Sequence, residues 1–360
     1  MSRLLDKLDA EKRDWLHRCG QMAVTRGGRA FLVGGSVRDL ILGTDQVDLD
    51  VVIEGDGMDV AQDLARGLGG NLTRHHAFQT AVVTTANGSR IDVTTARREE
   101  YKRPGQLPQI VPGDLENDLA RRDFTINTMA ISLSESDFGA FIDPHDGRSD
   151  LETGCIRAMH PRSFADDPTR VLRALRFSVR YSYKIEDKSE EWMNEAITGG
   201  CLGTVSGERV CKELRLLFTE SPMQGPSRLE VEGVLPIVHP GLRFQRKPLQ
   251  GLQDLIEWWE VASSGVSLVT KPKGWLMVLG CCAKRLSSTE RWDLVRHLKL
   301  SREERRPLID SGAPWKRAAD SLLDSPGQPL NSMVEREFRG IDRGALLVGA
   351  SIAGIDSAKA

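Results

Sequence analysis

The chain has 360 residues, 40% of them hydrophobic and 28% charged, enough to bury a sizeable core in two or three domains. Lys and Arg number 49 and Asp and Glu 51, for a net charge of −2. That balance excludes a uniformly basic nucleic-acid coat and an acidic disordered tail, but not positive charge sorted into one groove. The cysteines are Cys19, Cys155, Cys201, Cys211, Cys281 and Cys282. They form no CxxC pair, so reduced thiols are expected, in a cytoplasmic protein. No apolar run reaches the length of a membrane span, and no membrane contact is expected.

In chain order, residues 1–24 predict an amphipathic helix with Leu4, Leu5, Leu8, Trp15 and Leu16 on one face. Ala30 to Val33 predicts a strand ending in Gly34-Gly35, and Val37 to Leu42 a helix. Asp48 to Ile53 reads as a second strand and Met58 to Leu68 as a helix closed by glycines. Asn71–His75, Thr80–Thr85 and Arg90–Thr94 are further strands. Arg97 to Gly113, with Pro104, Gly105, Pro108 and Pro112, predicts a loop. Beyond it the pattern turns helical: Asn117–Leu133, then an irregular piece over Phe141–Ile156, then Asp166 to about Tyr183. Further helices are expected over 188–198, 206–219, 249–262, 272–284, 288–299 and 301–311, with a soft boundary near Pro222–Gly241.

Asp48 and Asp50 stand two residues apart on the second strand, which places both carboxylates on one face. Two acids on an apolar strand repel, and a hard divalent cation such as Mg²⁺ relieves the repulsion. Asp92 is a third acid in a similar setting, and three acids could hold two metal ions for displacement at phosphorus. An edge strand with outward aspartates accounts for the pair equally well. The Gly34-Gly35-Ser36 turn joins a strand to a helix, and such turns offer backbone N–H groups to phosphates. Neither GxxxxGK[ST] nor GxGxxG occurs, so a P-loop or dinucleotide fold is not supported.

The order Gly34-Gly35-Ser36-Val37-Arg38-Asp39, Asp48-Leu49-Asp50, Arg121-Arg122-Asp123-Phe124-Thr125-Ile126-Asn127 and Asp166-Asp167-Pro168-Thr169-Arg170 resembles the class II tRNA nucleotidyltransferases. That family comprises CCA-adding enzymes with their CC-adding and A-adding relatives, and bacterial poly(A) polymerase is a close cousin. The resemblance covers roughly residues 28–220. It implies an α+β chain: a polymerase-β-like nucleotidyltransferase head over 1–145, a helical nucleotide-selecting neck over 146–220, and a helical body and tail over 221–360 that faces tRNA. By the same resemblance Asp48 and Asp50 hold catalytic Mg²⁺, with Asp92 in the place of an occasional third carboxylate. Gly34, Gly35, Ser36, Arg38, Arg122, Asp123 and Asn127 fall in its nucleotide-binding motifs, and Asp167, Arg170, Arg173 and Arg176 on its nucleotide-selecting helix. Asp166 stands where Glu is commoner and Thr128 where Ala is usual.

Base choice can also be argued from the residues. On a continuous helix Asp167 and Arg170 lie about 60° apart. A carboxylate only accepts and a guanidinium only donates. Cytosine and adenine present an amino donor beside a ring-nitrogen acceptor and fit such a pair, whereas uracil and guanine mispair twice. A solvated i,i+3 ion pair is the plainer reading of the same two residues. The expected activity is template-independent addition of 3′-terminal CCA nucleotides, all or part, to tRNA from CTP and ATP. The loop from Thr95 to Pro108 and the Asp50–Gly57 stretch lean toward the A-adding clade. The alternatives are a poly(A) polymerase-type tailing enzyme and a non-catalytic RNA- or nucleotide-binding protein. Oligomeric state is not legible.

Overall fold

A computed structural model describes residues 4–44, 48–75, 78–101, 103, 105–106, 108–263, 273–323 and 336–354. The chain divides into two units, Met1–Asp167 with Tyr183–Asn194, and Pro168–Ser182 with Glu195–Ala360.

The first unit is built on a seven-stranded mixed sheet. Its strands are β1 (Arg29–Val33), β2 (Leu49–Glu54), β3 (Asn71–His75), β4 (Thr80–Thr84), β5 (Arg90–Thr95), β8 (Ala130–Ser132) and β9 (Phe141–Ile142), in the order β3-β4-β5-β2-β1-β8-β9. Only β2 and β5 run parallel; the other neighbours are antiparallel. Along β2 the side chains alternate. Leu49, Val51 and Ile53 are buried on one face, while Asp50, Val52 and Glu54 take the other. Helices α1 (Ala10–Thr25) and α3 (Gly57–Gly67) pack on the sheet, and α2 (Gly35–Leu42) lies against β1 and β2. Phe31, Val33, Val52 and Ala130 form a core cluster with Leu115 and Leu119 of α4 (Leu115–Ala120). The Asp50 face of β2 is therefore the face that α4 covers.

Several expected boundaries move. The N-terminal helix is two pieces, a 3₁₀ turn over Leu4–Lys7 and then α1, because Asp9 caps α1 by accepting from the Lys12 N–H. Residues 1–3 of that expectation lie outside the described residues. The expected Asn117–Leu133 helix stops at Ala120. Phe124 is extended, the Thr125 N–H donates to the Arg157 carbonyl at 3.0 Å, and Ala130–Ser132 pairs with β1 instead. Tertiary pairing outweighs an apolar pattern that local periodicity cannot resolve. The expected loop from Arg97 holds a hairpin, β6 (Arg97–Glu100) with β7 (Gln109–Pro112), although residues 102, 104 and 107 lie outside the described residues. The irregular piece over 141–156 contains β9, helix α5 (Gly147–Thr153) and β10 (Cys155–Ile156), which pairs with β11 (Lys184–Ile185). So strands do recur after residue 115, contrary to expectation. The turn before α5 is a helix cap: the Asp143 carboxylate accepts from the Gly147 and Arg148 N–H groups. His75 ends β3 and is exposed, and His76 lies outside the described residues.

The expected helix from Asp166 is broken. Helix α6 (Ser163–Asp166) ends at Asp167, which is extended at φ −129° and ψ 92°, and α7 (Thr169–Tyr181) begins after Pro168. Proline disfavours helical backbone at the residue before it, so Asp167 precedes the helix that carries Arg170.

The second unit is helical. After α7 and α8 (Asp187–Thr198), the latter shared between the units, come α9 (Gly207–Glu220) and helices at Gln224–Val231, Leu235–Val238, Arg246–Ser263, Gly274–Cys282, Ser288–His297, Arg306–Asp310, Ala313–Leu323 and Arg343–Ala353. Two of these fill the expected boundary near Pro222–Gly241. The expected 301–311 helix shrinks to Arg306–Asp310 behind a turn. Trp275 to Cys282 are all buried, as a helix surrounded by others requires. Gly207 starts α9 where a Cβ would fall 1.7 Å from the His297 carbonyl oxygen, so only glycine fits. Among the described residues no helix is long and apolar enough to cross a membrane.

Candidate active site

The site is built at the junction of β1, α2 and β2. Gly34 turns the chain at φ 63° and ψ −123°, a backbone state that L side chains rarely adopt. Its N–H donates to the Met129 carbonyl at 3.0 Å. A Cβ on Gly34 would come within 2.2 Å of Arg122 Nη1, so the glycine is what lets the guanidinium lie over the turn. Gly35 opens α2 and looks toward Asp50, whose Oδ2 would sit 3.7 Å from a Cβ there.

Ser36 is buried, and its hydroxyl is committed to the neighbouring strand. It donates to the Asp48 carbonyl at 2.6 Å and accepts from the Asp50 N–H at 2.8 Å. The Ser36 side chain is thus a clamp on the backbone of the two aspartates. Arg38 is likewise buried. It donates to Asn127 Oδ1 at 2.6 Å and pairs with Asp39 at 2.8 Å. Asn127 Nδ2 donates in turn to Asp123 Oδ1 at 3.0 Å, and that oxygen also accepts from the Phe124 N–H at 2.9 Å. Arg38, Asn127 and Asp123 form one buried chain that ties α2 to the turn after α4.

Asp48 is exposed just before β2, and Asp50 is half-buried within it. Asp92 on β5 pairs in register with Asp50, which puts the two side chains on the same face. Asp92 also reaches Arg90 at 3.5 Å. The Asp50 carboxyl is pushed up to about 6. Burial is the largest influence and raises it, Arg122 lowers it, Asp92 and Asp48 raise it, and Arg38 lowers it. A carboxylate whose ionisation burial and two acids oppose is one that a divalent cation would stabilise, and oxygen donors suit a hard one. The residues present therefore fit a metal held by Asp48 and Asp50. Among the described residues no group of three His, Cys, Asp or Glu side chains is placed to hold a metal ion.

Arg122 is held from below by Asp118. Its Nη2 meets Asp118 Oδ2 at 2.9 Å, its Nη1 donates to the Asn127 carbonyl at 3.4 Å, and its buried Nε has no hydrogen-bond partner. Asp118 is fully buried. Burial opposes its charge, but Arg122 and then Arg121 outweigh this and hold the carboxyl below its ordinary value. Arg121 pairs with the other Asp118 oxygen and, through Nη1, with Glu99 Oε1 at 2.9 Å. Glu99 in β6 also takes Arg97 at 3.0 Å and the Tyr101 hydroxyl at 2.8 Å.

In the second unit, Arg170 is buried and Arg173 is partly exposed on α7. Arg176 is not open to a ligand along its length. Its Nε lies 3.4 Å from Glu213 and its Nη1 3.0 Å from Glu220, both on α9, and its guanidinium stacks 4.6 Å from the Phe177 ring centre. Arg180 joins Glu220 at 3.2 Å. This end of the arginine stripe fastens α7 to α9. The Glu213 carboxylate also meets Arg173 at 3.6 Å.

Sequence reasoning missed Asp118 and Glu99, and assigned Arg121 no role. The i,i+4 spacing of Asp118 and Arg122 was a readable signal. So was the alternation Arg97, Glu99, Tyr101, whose period of two marks a strand inside an apparent loop.

Residues 30–157 match the poly A polymerase head domain. The A-adding tRNA nucleotidyltransferase of Halalkalibacterium halodurans is 44% identical over 219 residues, 60% of this chain and 51% of that protein. The A-adding tRNA nucleotidyltransferase of Geobacter sulfurreducens is 36% identical over 284 residues, 78% of this chain and 32% of that protein. The chain thus spans about half the length of the first relative and about a third of the second. A solved structure of a CCA-adding enzyme without ligand superposes with a TM-score of 0.82 at 31% identity, covering 97% of this chain and 82% of that one. Nucleotidyltransferases with this head generally depend on a divalent metal. The glycine turn, the clamped aspartate pair and a structural likeness that runs through both units place the chain in the class II tRNA nucleotidyltransferase family.

Proposed function

We propose that the chain is a template-independent tRNA nucleotidyltransferase that adds 3′-terminal CCA nucleotides, with A-addition favoured, from ATP or CTP. The observation that carries this is the clamped pair: Ser36 fixes the backbone of Asp48 and Asp50 beside the Gly34–Gly35 turn, with Arg122 over that turn. The turn supplies backbone room and Arg122 supplies charge for a triphosphate. The tRNA 3′-hydroxyl attacks the α-phosphorus, a new P–O bond forms, the bond to the bridging oxygen breaks, and pyrophosphate leaves. Mg²⁺, held by Asp48 and Asp50, supplies charge stabilisation at the reacting oxygens when bound. Asp92, on the same face, adds negative field to that pair. Asp167, Arg170 and Arg173 are assigned to the nucleotide, with Asp167 and Arg170 accepting cytosine and adenine by the donor–acceptor argument. Arg38, Asp123 and Asn127 hold the floor of the site, and Arg176 holds α7 to α9.

The lean to A-addition rests on the two A-adding relatives and on the Thr95–Pro108 segment. The proposed division is head over 1–145, neck over 146–220, and body and tail over 221–360 facing tRNA. The proposed compartment is the cytoplasm. The test is product sizing after incubation with Mg²⁺ and CTP, ATP or both, on tRNA ending at the discriminator base or at CC. One AMP added to tRNA ending in CC, with no extension from the discriminator base, is expected. CC or CCA addition would overturn the lean, long tails would favour a poly(A) polymerase, and no extension would favour a binding protein.

A further inference from the structure

Three arginines and two acids form a largely buried cluster that reaches the Gly34 turn through Arg122. Glu99 and Asp118 have side chains 7% and 0% exposed, and Arg97, Arg121 and Arg122 are 12%, 17% and 18% exposed. The contacts run in one line. Arg97 meets Glu99, Glu99 meets Arg121, Arg121 and Arg122 share the two oxygens of Asp118, and Arg122 lies over Gly34. Three positive and two negative charges leave one positive charge in excess.

Arg122 ends this line with few constraints of its own. Among the described residues Asp118 is its one ion-pair partner. The Asn127 carbonyl is a long 3.4 Å away, and Nε has no partner. Its direction therefore depends on Asp118. A free Asp118 oxygen would turn toward either arginine, and Arg121 fixes it from the other side. Arg121 in turn is held through Nη1 by Glu99, which comes from β6, a strand of the separate hairpin.

We propose that Asp118 and Glu99 are positioning residues for Arg122, so that the β6–β7 hairpin sets where the triphosphate-binding guanidinium sits. The inference rests on the assignment of Arg122 to the nucleotide made above. Neither acid touches the nucleotide; both act through a buried charge line. Outer partners of a binding group typically matter by about 10–100-fold when removed, as they do for metal ligands.

The test is a double-mutant cycle on nucleotide KM in the full-length protein, with kcat, tRNA KM and melting temperature measured alongside. Glu99→Gln keeps the shape and removes the charge. It is expected to raise KM for the nucleotide about tenfold while tRNA KM stays unchanged. Tyr101→Phe, which removes only the hydroxyl donated to Glu99, should give a smaller rise of the same kind and covers the case in which a charge variant fails to fold. In an Arg122→Ala background the Glu99→Gln effect should disappear, because its route is gone. Glu99→Gln and Arg122→Ala effects that multiply independently would overturn the relay. A nucleotide KM unmoved by Arg122→Ala alone would instead overturn the assignment of Arg122, so the two failures are told apart.

Discussion

Strand β2 and helix α7 each present like charges in register, and the two rows end differently. Among the described residues neither Asp48 nor Asp50 has an ion-pair partner, and the Arg122 and Arg38 charges do not offset burial of Asp50 and its crowding by Asp92 and Asp48. On α7, Arg173, Arg176 and Arg180 meet Glu213 and Glu220 of α9. A charge taken from water without a counter-charge is costly, whereas a matched pair approximately repays its desolvation. The matched row is a fastening between helices. The unmatched row is stable in the fold only at a cost, and a bound cation removes that cost. Residue type and spacing look equally functional in both rows; the partner is what separates them.

Three experiments separate the matched row from the unmatched one. The largest effect belongs to the unmatched row. Asp48→Ala or Asp50→Ala should lower nucleotide incorporation about a thousandfold or more while the circular dichroism spectrum stays that of the folded protein. Incorporation at the original rate would remove both residues from the chemistry. Next comes the matched row. Arg176→Met leaves Glu213 with Arg173 alone and Glu220 with Arg180 alone and should cost about 2 kcal/mol of stability, read as a lower denaturant midpoint, with nucleotide KM unchanged at a temperature where the variant is folded. A raised KM without destabilisation would return Arg176 to the nucleotide site.

The smallest effect is a pH dependence in metal-free protein. The folded-state Asp50 carboxyl lies at about 6, above its ordinary value. The folded state therefore binds a proton that the unfolded chain has already lost. Stability from this group is fully present below about pH 4, and it is lost as pH rises to about 6. Asp50→Asn cannot ionise and should lack that loss. Its advantage over the parent above pH 6 should be on the order of 1–2 kcal/mol, measured by urea unfolding with chelator present. Added Mg²⁺ should narrow the gap by stabilising the parent alone. Equal pH profiles would mean that Asp50 ionises freely in the fold.

Much of the site was legible because its chemistry is local. The Gly34-Gly35-Ser36 turn, the i,i+2 acids and the Arg121-Arg122-Asp123 run are short patterns on elements whose periodicity is clear. What local pattern obscured was element type where tertiary contacts compete. Residues 117–133 look helical because they are apolar at mixed spacing, yet strand β8 within them is claimed by β1. Arg97–Pro112 looks like a loop because of its prolines and glycines, yet it carries the hairpin that delivers Glu99. Asp167 and Arg170 were read on one helix, and Pro168 itself was the readable sign that they are not.

Residue identity and local spacing set the chemical inventory: two carboxylates on one strand face, a glycine turn beside them, and basic residues gathered on one helix. These follow from residue identity and from periods of two and 3.6, which need no distant partner. Which charges are matched follows from packing. Asp92 faces Asp50 because of the register of β2 against β5, Glu99 reaches Arg121 from another hairpin, and Glu220 meets Arg176 from another helix. Ion pairing needs atoms within about 4 Å, and for residues tens of positions apart packing alone sets that distance. The net charge of −2 is the sum of these sorted sites and carries no trace of the sorting.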